Sequence, residues 1–255
     1  MIIYYDKCKS SSSSTSDVQY VLKLLEAFQS TTGIGFPLYN GIVGDPPMPT
    51  ATQLGAAIGY LFGVHNIPTF LTPYIDTNWG SPSDGYMLLV DQTTLLYEAT
   101  YYTKPVANFN ISLRAEIRAI FEALKPDLDN TTLFNDVEDI VNMEYAIVRT
   151  LLASDADKRL YARQFNIISS REANDQYTFL DWPTLLKHIG HFGNPDVQKM
   201  MNDSSFKFVL NEPALLLKLN NALGTGALKA RTILNYLNLR LAYNYQSFLG
   251  QVGFN

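Results

Sequence analysis

The chain has 255 residues, 47% of them hydrophobic and 17% charged, which is enough apolar material for a sizeable core and excludes a disordered chain. Its formal net charge is −5, with 19 Lys and Arg scattered along the chain; no basic stripe exists to neutralise a run of phosphates, so nucleic acid is not an expected partner. The single cysteine, Cys8, excludes an internal disulfide framework and any cysteine-built zinc site. It is either a free thiol or half of a bridge to a partner outside the chain.

The N-terminal MIIYYDKCKSSSSSTSD has neither an extended apolar region nor a small-residue cleavage site, so no signal peptide is read there. From Asp17 to Phe28, Val18, Val21, Leu22, Leu25 and Phe28 recur at helical spacing. The glycines and proline of TTGIGFPLYNG break that helix, and a second is expected from Pro49–Thr52 to about Val64. Its apolar block is only about 12 residues long where a membrane span needs roughly 20, so no span is expected.

Two apolar runs, Thr69 to Ile75 and Gly85 to Asp91, flank a turn-forming cluster of Asp, Asn, Gly, Ser and Pro and predict a β-hairpin. Helical periodicity then dominates. Leu113, Ile117, Ile120, Phe121 and Leu124 form one stripe, and Phe134 to Leu152 carries a longer one that contains Glu144. Further helices are expected over Trp182–Ile189, Pro213–Leu223 and Lys229–Phe248. Residues 1–255 read as a single region, mainly α, a multi-helix lobe with one small antiparallel β-hairpin.

His188-Ile189-Gly190-His191 spells the signature of class I aminoacyl-tRNA synthetases, with Lys199-Met200-Met201 as a loose echo of their second signature. No βαβ pattern precedes it, and the second motif follows too closely, so the match is read as chance. As metal ligands the two histidines lack a third partner, and no His-Glu-x-x-His occurs anywhere. They are expected at a helix end, with His65 a satisfied core or edge histidine. Glu144, in an apolar stripe, is expected to form a structural ion pair with Arg149 or Arg159. No Ser, Cys or metal constellation completes an active site, so no catalytic and no metal residue is assigned. Three sequons, at Asn110, Asn130 and Asn202, mark possible glycosylation and favour an extracellular history.

Several segments, in order, resemble the N-terminal region of the neprilysin family of zinc metallopeptidases. Tyr5-Asp6-Lys7-Cys8 resembles its Tyr-x-x-Cys, and Gly35-Phe36-Pro37-Leu38 its Gly-Trp-Pro turn. Val90-Asp91-Gln92 through Tyr101-Tyr102 is similar to its Asp-Gln-Pro-x-Leu-x-Leu stretch ending in Tyr-Tyr. Met143-Glu144-Tyr145-Ala146-Ile147-Val148, Asp157-Lys158-Arg159-Leu160-Tyr161, Asp181-Trp182 and Asn235-Tyr236-Leu237-Asn238-Leu239-Arg240 match later pieces. Phe36, Thr93 and Leu239 depart from the pattern.

The resemblance implies a helical lobe that closes like a lid over a cavity and limits substrates to peptides, with zinc held by a separate lobe. The family's zinc-binding His-Glu-x-x-His, its downstream glutamate and its Asn-Ala-Tyr/Phe motif do not occur here. No cofactor is therefore expected in this chain, zinc belonging to the full-length family, and the chain alone is expected to be inactive. The implied partners are the missing zinc-binding lobe and, for the whole enzyme, peptide substrates; the implied location is extracellular or a plasma-membrane ectodomain. The resemblance also implies that Cys8 pairs with a cysteine in the missing segment. The alternative is a stand-alone degenerate member acting as a peptide- or protein-binding module.

Overall fold

The structure, a computed structural model, describes residues 15–104 and 106–250. Helix α1 (Thr15–Thr32) buries Val21, Leu25 and Phe28, the stripe its spacing predicts. It stops at Gly33, whose φ of +72° is left-handed. Helix α2 (Ala51–His65) opens on a capping box, with the Thr50 hydroxyl accepting from the Gln53 amide and the Gln53 side chain accepting from the Thr50 amide.

Strands β1 (Thr72–Thr77) and β2 (Tyr86–Asp91) pair antiparallel from Thr72–Asp91 to Thr77–Tyr86, so the predicted hairpin is present with its first strand shifted along the chain. Short α3 (Ala99–Thr103) leads to α4 (Phe109–Leu124) and α5 (Asn130–Thr150), the latter capped by the Asp129 carboxylate. Then come α6 (Tyr161–Gln164), β3 (Asn166–Ser169), α7 (Ser170–Gln176), α8 (Trp182–Ile189), α9 (Pro195–Met201) and β4 (Lys207–Leu210). Helices α10 (Pro213–Gly224) and α11 (Ala230–Asn244) follow.

The fold is mainly α, as the sequence predicts, but the hairpin is not the whole sheet. Four strands run in the order β1-β2-β4-β3, with β4 inserted parallel to β2 and antiparallel to β3. A four-residue strand carries too little period-two pattern to be read locally; β3 and β4 exist because pairing completes their backbone hydrogen bonds. The central strands are apolar on both faces, with Leu88, Leu89, Val90, Phe208, Val209 and Leu210 all buried.

The core sits around α11, which is buried on nearly every side; Ile233, Tyr236, Leu237, Leu239 and Leu241 have no accessible surface. A helix so enclosed cannot be amphipathic, and its Asn235, Asn238 and Arg240 must find partners inside. Helices α2 and α8 touch backbone to backbone. A Cβ on Gly55, Gly59 or Gly63 would lie 2.4, 2.6 or 2.2 Å from the carbonyl oxygens of Asp181, Leu185 and His188. One helical face made of glycines admits this approach, and any side chain there forces the helices apart. Among the described residues no helix is long and apolar enough to cross a membrane.

Candidate functional site

Three of the segments that carry the family resemblance, Gly35–Leu38, Val90–Tyr102 and Met143–Val148, meet at α11. Glu144 of α5 is fully buried, and its carboxylate accepts hydrogen bonds from the Leu96 amide at 2.8 Å, the Tyr236 hydroxyl at 3.0 Å and the Tyr102 hydroxyl. Arg240 lies one helical turn beyond Tyr236, donates to its hydroxyl at 2.9 Å, and reaches the carbonyls of Thr94 and Pro68. The expected ion pair of Glu144 with Arg149 or Arg159 is not formed. Arg149 lies over the Tyr145 ring, 5.9 Å from its centroid, and Arg159 is exposed. Hydrogen-bonding hydroxyls and an amide satisfy the carboxylate instead, and Arg240 supplies a positive charge nearby.

Burial holds Glu144 above the ordinary carboxylate range, against the lowering effect of its hydrogen bonds and of Arg240. Burial and the Glu144 charge push Tyr102 well above its usual value, and burial pushes Tyr236 up as well. A group sealed this way touches no substrate and activates no water. Its work is to fasten the Val90–Tyr102 segment and α5 to α11.

Two asparagines of α11 do the same for the Gly35–Leu38 turn. The Asn235 side-chain oxygen accepts from the Leu38 amide at 3.0 Å, and Asn238 donates to the Gly35 carbonyl at 2.9 Å. Phe36, where the family has tryptophan, is buried against Tyr39 and Phe121. Gln92 accepts from the Ala153 amide at 2.6 Å, fixing the end of α5 to the end of β2.

His188 and His191 are not brought together as a site. His188 is half-buried at the end of α8, its Cβ and carbonyl against Gly59 and Gly63, its ring edge-on to Tyr60 at 6.5 Å; burial lowers its pKa. His191 is exposed and packs against Phe192. His65 shares a 2.9 Å hydrogen bond between Nδ1 and the Tyr245 hydroxyl, while its Nε2 is buried without a partner, so it is satisfied on one side only. Among the described residues no group of three or more His, Cys, Asp or Glu side chains gathers where it could hold a metal ion. Asn110, Asn130 and Asn202 are all exposed, with Asn130 accepting from Arg118 at 2.8 Å; Cys8 lies outside the described residues.

A second polar cluster escaped sequence reading. Asp91 at the end of β2 and Asn211-Glu212 after β4 line one cavity, walled on its apolar side by Phe70, Leu215 and Leu219. Glu212, at φ +56° and 1% exposed, receives Arg163 Nε at 2.9 Å and Nη2 at 2.5 Å on one oxygen and Gln164 at 2.7 Å on the other. No local signal announces this cluster: Asp91 and Asn211 are 120 positions apart and meet only because β4 pairs with β2.

The architecture so built is a helical lobe pinned by buried polar side chains. Comparison with known proteins then supplies the family. Residues 1–252 match the N-terminal model described as Peptidase family M13, and the chain belongs to that family. Its fold is similar to that of the zinc metalloprotease Zmp1 of Mycobacterium tuberculosis in complex with an inhibitor. The two are 16% identical with a TM-score of 0.62, over 94% of this chain and 35% of that one. The open state of Zmp1 gives 15% and 0.58 over 91% and 34%. PepO from Lactobacillus rhamnosis HN001 is 17% identical with a TM-score of 0.49, over 90% and 37%. The chain thus spans about a third of the length of these proteins. No curated protein matches the sequence.

Proposed function

We propose that this chain is the cavity-enclosing lobe of a family M13 zinc metallopeptidase, limiting access to peptides while a separate portion holds the zinc. The observation that carries this reading is the end-to-end family match to an N-terminal model over residues 1–252, in a sequence without His-Glu-x-x-His. The clamp around Glu144 supports it, because a lobe that closes over a substrate as one body must not deform internally. The chain alone then neither binds zinc stoichiometrically nor cleaves peptides, since its sequence holds no His-Glu-x-x-His and no metal-holding group gathers among the described residues to activate water. An extracellular setting, with glycans on Asn110, Asn130 or Asn202 and Cys8 bridged to the zinc-binding portion, completes the proposal; the three asparagines are exposed.

Elemental analysis and a peptide-cleavage assay on the isolated chain should both be null, and stoichiometric zinc with chelator-sensitive cleavage would sink the proposal. The enclosing role is tested by joining the chain to the zinc-binding portion of an M13 enzyme. Short peptides should be cut and a folded protein substrate spared, whereas equal cleavage of both removes the size-limiting role.

A further inference from the structure

The seam between α4 and α5 leaves an apolar groove of about 300 Å³ on the surface of the lobe. Ile111 and Phe134 stand in it 68% and 57% exposed, beside Ala115 and the buried Val137. A contiguous apolar recess is a contact surface without its contact, unlike a lone exposed leucine. At its rim lies Asn130, the first residue of α5 and the first of an Asn-Thr-Thr sequon. Arg118, which borders the groove, donates from Nη2 to Asn130 Oδ1 at 2.8 Å. A guanidinium only donates, so the amide atom facing it is the oxygen. Nδ2, the atom that carries an N-linked sugar, is then the end of the amide left without a hydrogen bond among the described residues. Phe134 follows one helical turn along the same face, about 5–6 Å away between Cβ atoms, and a helical aromatic side chain leans back over the preceding turn.

We infer that an N-linked glycan on Asn130 lies along this groove, with its first N-acetylglucosamine stacked on the Phe134 ring. One face of that pyranose presents C–H groups and no hydroxyl. Laid on the electron-rich face of an aromatic ring, it removes apolar surface of both partners from water. In the attachment, Asn130 Nδ2 attacks the anomeric carbon of a lipid-linked oligosaccharide pyrophosphate. The C–N bond forms as the C–O bond to the pyrophosphate breaks; the pyrophosphate leaves with the electron pair, and the amide gives up one proton to a base of the transferase. Oδ1 takes no part, so its bond to Arg118 survives and orients the sugar. Asn110 opens on the neighbouring recess beside Tyr145, whose ring is already covered by the Arg149 guanidinium at 5.9 Å, whereas the ring next to Asn130 is uncovered. The inference rests on the extracellular setting proposed above and names the sequon and the surface that its glycan serves.

In the 255-residue chain secreted from eukaryotic cells behind an added leader, peptide mass spectrometry should find Asn130 occupied. A chain with Asn110→Gln and Asn202→Gln, trimmed enzymatically to one N-acetylglucosamine, should then melt about 2–4 °C above the same chain made without sugar in bacteria. Phe134→Leu keeps an apolar helix former and removes the ring; it should cut that difference to below about 1 °C. A sugar that leaves the melting temperature unchanged overturns the inference, and so does a gain that Phe134→Leu leaves intact. Occupancy at Asn110 or Asn202 but not at Asn130 overturns it while the extracellular setting stands, whereas no occupancy at any of the three removes the glycans from that setting as well. A glycosylated chain that dimerises through Phe134 in sedimentation also overturns it, because a second copy is then the occupant of the groove.

Discussion

Two clusters of buried polar side chains occupy this lobe, and they follow opposite rules. Around Glu144 nearly every polar atom is matched: three donors meet one carboxylate, and Arg240 spends its hydrogens on two carbonyls and a hydroxyl. Around Asp91 the matching is incomplete, because Asn211 Oδ1 is buried with no hydrogen-bond partner. Equal burial therefore does not mean equal contribution. A matched cluster is destroyed by removing any member, whereas an unmatched one is relieved by removing the orphan.

The sharpest way to break the comparison is Glu144→Leu, which leaves the Tyr102 and Tyr236 hydroxyls and the Leu96 amide without their acceptor. A loss of about 3–5 kcal/mol in urea unfolding is expected, and a loss below 1 kcal/mol would show that the cluster is not the clamp described. Gly63→Ala supplies a purely steric yardstick. Its new methyl would meet the His188 carbonyl oxygen at 2.2 Å, and separating α2 from α8 should cost about 2–3 kcal/mol, measured against Gly224→Ala, where the added methyl meets nothing within 4 Å.

Next in size is a pH effect. The folded pKa of Glu144 is raised by burial, so the folded state holds its proton more tightly than the unfolded state does. That contribution is fully present below the ordinary carboxylate pKa of about 4 and is lost as pH rises through the raised value, at up to about 1.4 kcal/mol per pH unit. Glu116 and Asp91, also raised by burial, act in the same direction, while the lowered His65 and His188 oppose it near neutrality. Comparing wild type with Glu144→Gln isolates the one carboxyl: wild type should lose ground as pH rises, and parallel stability curves would refute the assignment. The smallest effect is expected from Asn211→Leu. Removing an orphaned acceptor together with its bond to Tyr74 should change stability by no more than about 1 kcal/mol, despite burial close to that of Glu144.

The same contrast explains what the sequence made legible. The stripes of α1, α4 and α5 are core faces written at helical spacing, except that Phe134, read as the start of the α5 stripe, is 57% exposed while Leu133 is buried in its place; Trp182–Ile189 forms the helix its pattern predicts. Sequence proximity offers Glu144 an arginine within 15 positions, whereas its hydrogen bonds come from Leu96, Tyr102 and Tyr236, 42 to 92 positions away. Long-range pairing leaves no periodic trace, which also hid β3, β4 and the Asp91–Asn211 cavity. The glycines of α2 at four-residue spacing did carry a signal, since Gly55, Gly59 and Gly63 fall on one helical face. The collinear motifs succeeded where periodicity could not because their residues are the fasteners themselves.

The placement of those fasteners imposes a timetable. Asn235, Asn238 and Arg240 complete hydrogen bonds begun at Gly35, Leu38, Pro68 and Thr94, so most of the chain is synthesised before any of these loops is secured. At ribosomal rates of about 5–20 residues per second the wait is roughly 10–40 s. During that interval the nascent lobe is a set of helices with its spindle missing, and α11, arriving last, turns them into one body.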